Sequence, residues 1–218
     1  MAHLAIFFDL DGTLTDSGEG IINCAQLALR HYGIPAEDRQ ALRAFVGPPL
    51  RESFPKFGVP QDKVEEAMVL FRSRYFTVGK FENTPYPGIR TLLEQLRGDG
   101  FPLYVATSKP ESTAVEILEK FQLDGFFARI CGATMDSSRD SKEDVLRYLM
   151  AQLPQGQPAV MVGDTIYDVT GAAACGLSTI GVSWGYGSVA EMEAAGAKAI
   201  VDSPQALYRL LSQQFSAL

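Results

Sequence analysis

Short runs of almost wholly apolar residues recur along the chain: residues 4–8 (LAIFF), Leu103–Ala106, Ala159–Val162, Thr179–Val182 and Ala199–Val201. A strand with one wet face alternates polar and apolar residues, whereas a strand covered on both faces does not. The alternation is missing here, and most runs are rich in Val, Ile or aromatic residues. They read as strands of a parallel sheet buried on both sides.

Helical patterns lie between the runs. Apolar residues at 89, 92, 93 and 96 form a stripe within Gly88–Arg97, and Ser112–Phe121 repeats it at 114, 115, 117, 118 and 121. Ser141, with Asp144 three residues on, is a capping-box variant heading SKEDVLRYLM. Ile166–Cys175 runs into Gly176, and Ser203-Pro204 opens a last helix with proline in the first turn. From residue 86 onward, strand and helix alternate. This predicts an α/β fold: a doubly wound, Rossmann-like parallel sheet core with right-handed crossovers.

Residues 15–83 break the rhythm. Gly20–Tyr32, Ala36–Phe45, Leu50–Phe57 and Asp62–Phe76 are helical in pattern, with no strand among them. Turn-forming residues border the stretch, Thr15–Gly18 on entry and Asn83–Gly88 on exit. The expected organisation is therefore a discontinuous core, 1–14 and 84–218, with an inserted all-helical cap, 15–83.

The net charge of −7 and the absence of a Lys/Arg-rich run argue against nucleic acid as a partner. The three cysteines, Cys24, Cys131 and Cys175, lie far apart and suggest neither a disulfide framework nor a zinc ribbon. The apolar run at the N-terminus is cut by Asp9, too early for a signal sequence, and no window approaches the ~18 apolar residues of a membrane span. The expectation is a cytoplasmic protein with no membrane partner. His3 and His31 show no ligand spacing and read as structural or exposed.

In an open parallel sheet, ligands bind beyond the carboxyl ends of the strands. The first run ends in Asp9-Leu10-Asp11-Gly12-Thr13, the second in Thr107-Ser108-Lys109, and the third in Gly163-Asp164-Thr165 with Asp168 four residues on. In one parallel sheet these clusters share an edge and crowd several carboxylates together. Such carboxylates do not all stay ionised without a cation among them, and an oxygen-rich set suits Mg²⁺. The spacing does not fit an EF-hand, because Gly12 comes too early and the twelfth position is Gly20. No Walker A pattern is present.

The string Asp9-Leu10-Asp11-Gly12-Thr13-Leu14, Thr107 after an apolar strand, Lys142, and Gly163-Asp164 followed by Asp168 together resemble the four motifs of the haloacid dehalogenase superfamily, in its phosphatase branch. Within it the chain looks most like phosphoglycolate phosphatases and the neighbouring 5′-nucleotidase-like group. The Gly47-Pro48-Pro49-Leu50 loop leans toward the latter.

The resemblance implies Mg²⁺-dependent hydrolysis of a small phosphorylated metabolite, phosphoglycolate or a nucleoside 5′-monophosphate, through an aspartyl-phosphate. Asp9 would be the nucleophile. Asp11 would protonate the leaving alcohol and then activate water. Mg²⁺ would be held by Asp9, the backbone carbonyl of Asp11, and Asp164. Asp168 either joins them or caps and pairs on its own helix. Thr13, Thr107, Ser108 and Lys142 would hold the phosphoryl group, with Gly47 and Arg51 of the cap meeting the leaving group. Lys109 either is a solvated loop residue or faces the site. Trp184 and Tyr186 either line its rim or pack in the core. A sugar-phosphate mutase and a non-catalytic phosphate-binding module share the fold and stay as alternatives. A monomer or homodimer is expected.

Overall fold

The computed structural model describes residues 4–136 and 138–215; His3 lies outside them. Strand β1 (Ala5–Phe8) is buried along its whole length. The chain then passes through β2 (Thr15–Asp16) into α1 (Gly18–His31), α2 (Arg39–Leu42), α3 (Leu50–Lys56) and α4 (Val64–Tyr75), and returns through β3 (Thr84–Pro85). Helix and strand alternate from there: α5 (Ile89–Gly98), β4 (Leu103–Pro110), α6 (Glu111–Lys120), β5 (Arg129–Ala133), α7 (Lys142–Met150), β6 (Ala159–Gly163), α8 (Ile166–Ala174), β7 (Ser178–Val182), α9 (Val189–Ala194), β8 (Ala199–Val201) and α10 (Pro204–Phe215). Two compact units result, Met1–Thr15 with Pro85–Leu218, and Asp16–Thr84. Among the described residues no helix is long and apolar enough to cross a membrane.

The larger unit is an α/β fold. Its six-stranded sheet has the order β5-β4-β1-β6-β7-β8, and every neighbouring pair is parallel. β1 is central, with Ile6 opposite Leu103 on one side and Val160 on the other. The chain first builds outward through β4 and β5, then crosses back to add β6, β7 and β8. The crevice at such a reversal is where open sheets bind ligands.

The absence of alternation in β1 has a direct cause. Ile6 and Phe8 enter one apolar layer with Leu92, Leu93, Ile117, Leu207 and Leu211, whereas Ala5 and Phe7 enter the opposite layer with Val145, Leu146, Leu149 and Ala172. Successive side chains point to opposite faces, and both faces are dry.

β5 (RICGA) is a strand that the apolar runs do not reveal. It lies at the sheet edge, begins with exposed Arg129, and contains Gly132. A Cβ at Gly132 would come within 2.5 Å of the Lys109 carbonyl oxygen, so only glycine allows β4 to lie this close.

The smaller unit is helical. Phe45, Phe54, Phe57, Phe71 and Tyr75 form its aromatic centre, with ring centroids from 4.7 to 6.4 Å apart. Arg74 makes two 2.7 Å bonds to Glu82, fixing the exit segment to α4. His31 is exposed on α1.

Candidate active site

The turn after β1 sets the first carboxylates. The Asp9 N–H donates to the Val162 carbonyl at 2.9 Å, continuing the ladder with β6. Leu10 and Leu14, both fully buried, anchor the turn, and the Leu14 and Thr15 N–H groups close on the Leu10 carbonyl at 2.9 and 3.0 Å. Gly12 adopts φ +82°, and a Cβ there would come within 2.2 Å of Asp164 Oδ2. Glycine therefore serves both the turn and the close approach of β1's end to β6's end.

Asp9, Asp164 and Asp168 form a buried triad in which one carboxylate oxygen from each lies within 4.8 Å of the other two. Lys142, first residue of α7, reaches into it. Its Nζ lies 2.9 Å from Asp9 Oδ1 and 2.7 Å from Asp168 Oδ1, and donates to the Ala106 carbonyl at 2.8 Å. The Ser141–Asp144 capping box fixes the start of this helix and so the root of the lysine. Asp168 has two tasks. Its Oδ2 accepts the Thr165 N–H at 3.0 Å and hydroxyl at 2.8 Å, capping α8, while Oδ1 meets Lys142. Of the roles open from the sequence, the cap on its own helix is present.

Asp11 is held apart from the triad. Its Oδ2 pairs with Lys109 Nζ at 2.7 Å, and Oδ1 is buried without a hydrogen bond. Lys109 thus faces this sheet edge. The signal was in the sequence: residues two apart on a strand share a face, and Thr107 and Lys109 are both buried with Ser108 exposed between them. Thr107 Oγ1 accepts the Lys109 N–H at 3.2 Å.

The Thr13 hydroxyl, expected on substrate, donates to Asp164 Oδ1 at 3.1 Å. Gly47 and Arg51 belong to the helical unit, where Arg51, exposed on α3, pairs with Glu65. Trp184 and Tyr186 both contact the site's framework, Trp184 through its indole N–H on the Thr13 carbonyl at 3.0 Å and Tyr186 through its backbone N–H on Asp164 Oδ2 at 2.8 Å. Nothing in the apolar pattern marks these two links.

Four carboxylates, Asp9, Asp11, Asp164 and Asp168, here face two ammonium groups, Lys109 and Lys142. Burial, then the charges of Asp168 and Asp9, push the Asp164 carboxyl up to about 8. Burial and Asp9 raise Asp168 against the pull of Lys142. Burial alone would depress Lys142, but the Asp168 and Asp9 carboxylates outweigh it and hold the ammonium charged. The deficit of two positive charges and the all-oxygen donor set fit one hard divalent cation held by Asp9, Asp164 and Asp168.

This crowding has a pH consequence. Without a cation, Asp164 keeps its proton to about pH 8 in the folded chain but loses it near pH 4 when unfolded. Between those values the folded state binds more protons, so stability falls as pH rises. The melting temperature in chelator should therefore decline from about pH 5 to about pH 8 and flatten above that. A rise across the same range contradicts the crowding.

The haloacid dehalogenase-like hydrolase family model matches residues 6–182, through β7 and across every residue of the cluster. The chain belongs to this family. The tyrosine-protein kinase PtkA of Mycobacterium tuberculosis is 46% identical over 183 residues, 84% of this chain and 62% of that protein. The chain thus spans under two thirds of that relative's length. A 5′-nucleotidase of Pseudomonas aeruginosa is 41% identical over 191 residues, 87% of this chain and 86% of that protein. The crystal structure of a predicted phosphatase from Clostridium acetobutylicum superposes with a TM-score of 0.92 at 41% identity, over 98% of this chain and 100% of that one.

Proposed function

We propose that this chain is a Mg²⁺-dependent phosphatase that hydrolyses a small phosphomonoester, a nucleoside 5′-monophosphate, through an aspartyl-phosphate on Asp9. The observation that carries this reading is the position of Asp9: at the end of the central strand, beside Lys142 and two further buried carboxylates. The nucleoside 5′-monophosphate is preferred to phosphoglycolate because the 5′-nucleotidase relative is 41% identical, whereas a phosphoglycolate phosphatase of Chromobacterium violaceum, matched over 95% of this chain, is 32% identical.

In this mechanism a carboxylate oxygen of Asp9 attacks phosphorus, and the leaving alcohol takes a proton from Asp11. Asp11 must first give up its contact with Lys109 and take a proton from solvent, the proton that the alcohol then receives. Water, deprotonated by Asp11, then attacks the phosphorus of the aspartyl-phosphate and frees Asp9. Lys142 and the Thr107–Ser108 segment offset the phosphoryl charge. Asp9, Asp164 and Asp168, with the Asp11 carbonyl, would hold Mg²⁺, which would supply the positive charge that lets a dianion approach a carboxylate. Phosphate release from nucleoside 5′-monophosphates should require Mg²⁺, stop with chelator, and be inhibited by Ca²⁺, which takes more ligands at longer distances. Full activity in chelator contradicts the reading.

The helical unit, residues 15–83, is proposed as a cap that selects the leaving group, with Gly47 and Arg51 at its contact. Arg51 would trade Glu65 for a polar group of the substrate. Arg51→Ala should then lower kcat/KM for the nucleotide about ten- to hundred-fold, the worth of one charge-assisted hydrogen bond. It should barely change kcat/KM for para-nitrophenyl phosphate. Equal losses on both substrates remove Arg51 from the contact.

The PtkA relative favours a second reading, transfer of the phosphoryl group to a tyrosine. The same assay separates the two. Hydrolysis yields inorganic phosphate from the monoester, whereas kinase activity moves label from ATP to tyrosine without a matching release of phosphate. The presence of Asp9, Asp11 and Asp164 together argues against a non-catalytic binding module.

A further inference from the structure

Asp164 is gripped from outside the cation cluster by a segment that the proposed mechanism does not use, Trp184-Gly185-Tyr186-Gly187, which follows β7. Both oxygens of its carboxylate receive a donor. Oδ1 accepts the Thr13 hydroxyl at 3.1 Å, and Oδ2 accepts the Tyr186 N–H at 2.8 Å. The Trp184 indole N–H donates to the Thr13 carbonyl at 3.0 Å, closing a circuit from the segment, through the turn after β1, back to Asp164. The ring of Trp184 packs half-buried against the core, so the donor is fixed rather than free to swing.

Glycine at 185 has a steric reason. A Cβ there would lie 2.3 Å from Asp164 Oδ2 and 2.4 Å from Asp164 Cβ, both far inside contact distance. The backbone can lie flat on the carboxylate only because that atom is missing.

We propose that Trp184–Gly187 is a positioning element for the cation site: it holds the Asp164 carboxylate in its binding orientation, and Trp184 acts through Thr13 as a positioning residue. The inference rests on the reading of Asp9, Asp164 and Asp168 as a Mg²⁺ site. Groups that orient a metal ligand in this way typically change metal affinity ten- to hundred-fold when lost. Trp184 is the chain's only tryptophan, so its fluorescence should respond directly when Mg²⁺ reaches Asp164.

The experiment is calorimetric titration of Mg²⁺ into metal-free wild type, Gly185→Ala and Trp184→Phe, with fluorescence titration of the wild type alongside. Gly185→Ala should raise the Mg²⁺ dissociation constant about ten- to hundred-fold. Trp184→Phe keeps an aromatic ring but loses the donor, and should raise it about fivefold, the worth of one neutral hydrogen bond. Wild-type fluorescence should saturate with the calorimetric constant. Thermal unfolding in chelator identifies a variant that fails to fold; if Gly185→Ala fails, Trp184→Phe carries the test. Wild type that binds Mg²⁺ while folded variants bind it equally well overturns this inference alone. Wild type that binds no Mg²⁺ overturns the cation reading and this inference with it.

Discussion

Asp9→Asn is expected to leave a folded protein whose turnover is lower by at least about ten-thousand-fold, the scale seen when a nucleophile is removed. The amide keeps the shape of the carboxylate but is too weak a nucleophile to form the phosphoenzyme. The fold should survive, because the Asp9 backbone bond to Val162 is independent of the side chain and the neighbouring β1 residues are buried in two apolar layers. Phosphate release by purified variant and wild type, with deamidation excluded by mass, is the check. Turnover within about tenfold of wild type contradicts a nucleophilic Asp9.

Lys142→Met should damage both stability and turnover. The ammonium group donates to the Ala106 carbonyl and forms ion pairs with Asp9 and Asp168, so one side chain ties the end of β1, α8 and β4 together. Methionine keeps much of the stem but leaves the Asp9–Asp164–Asp168 triad without its internal cation. Breaking a buried ion pair by removing one partner costs about 3–5 kcal/mol. For a chain of this size that lowers the melting temperature by roughly 6–20 °C in chelator. Mg²⁺ should recover part of the loss by binding the folded state. Turnover should stay about a hundred- to thousand-fold down even with Mg²⁺, because the phosphoryl oxygens lose a fixed positive charge. An unchanged melting temperature in chelator contradicts the account of the cluster.

What the sequence discloses, and what it hides, follows from where each residue packs. β1, β4, β6, β7 and β8 are visible as apolar runs because a parallel sheet covered on both faces leaves no polar side to its strands. β5 is hidden because an edge strand with exposed Arg129 and a glycine at 132 carries little of that pattern. α9 is hidden because six residues from Val189 are too few to show a stripe. Lys142 is legible only through the resemblance to the family's third motif, since the Ser141–Asp144 cap marks the start of its helix and not the task of the lysine. Lys109 was open to the two-residue period of its strand, since it shares a face with Thr107. The Trp184–Thr13 link was not legible: it joins residues 171 positions apart through a backbone carbonyl, which carries no residue-type signature. The carboxylates themselves were legible because the topology of a parallel sheet sends the ends of β1 and β6 to one edge.

The central claim is that Asp9 carries the phosphoryl group. It is tested most directly by quenching the wild-type protein during turnover of a nucleoside 5′-monophosphate and reducing it with borohydride, which converts an aspartyl-phosphate to homoserine. The account predicts homoserine at position 9 and nowhere else, dependent on substrate and Mg²⁺. Unmodified aspartate at position 9 during active turnover, with the phosphoryl group on a tyrosine or another residue, would contradict it.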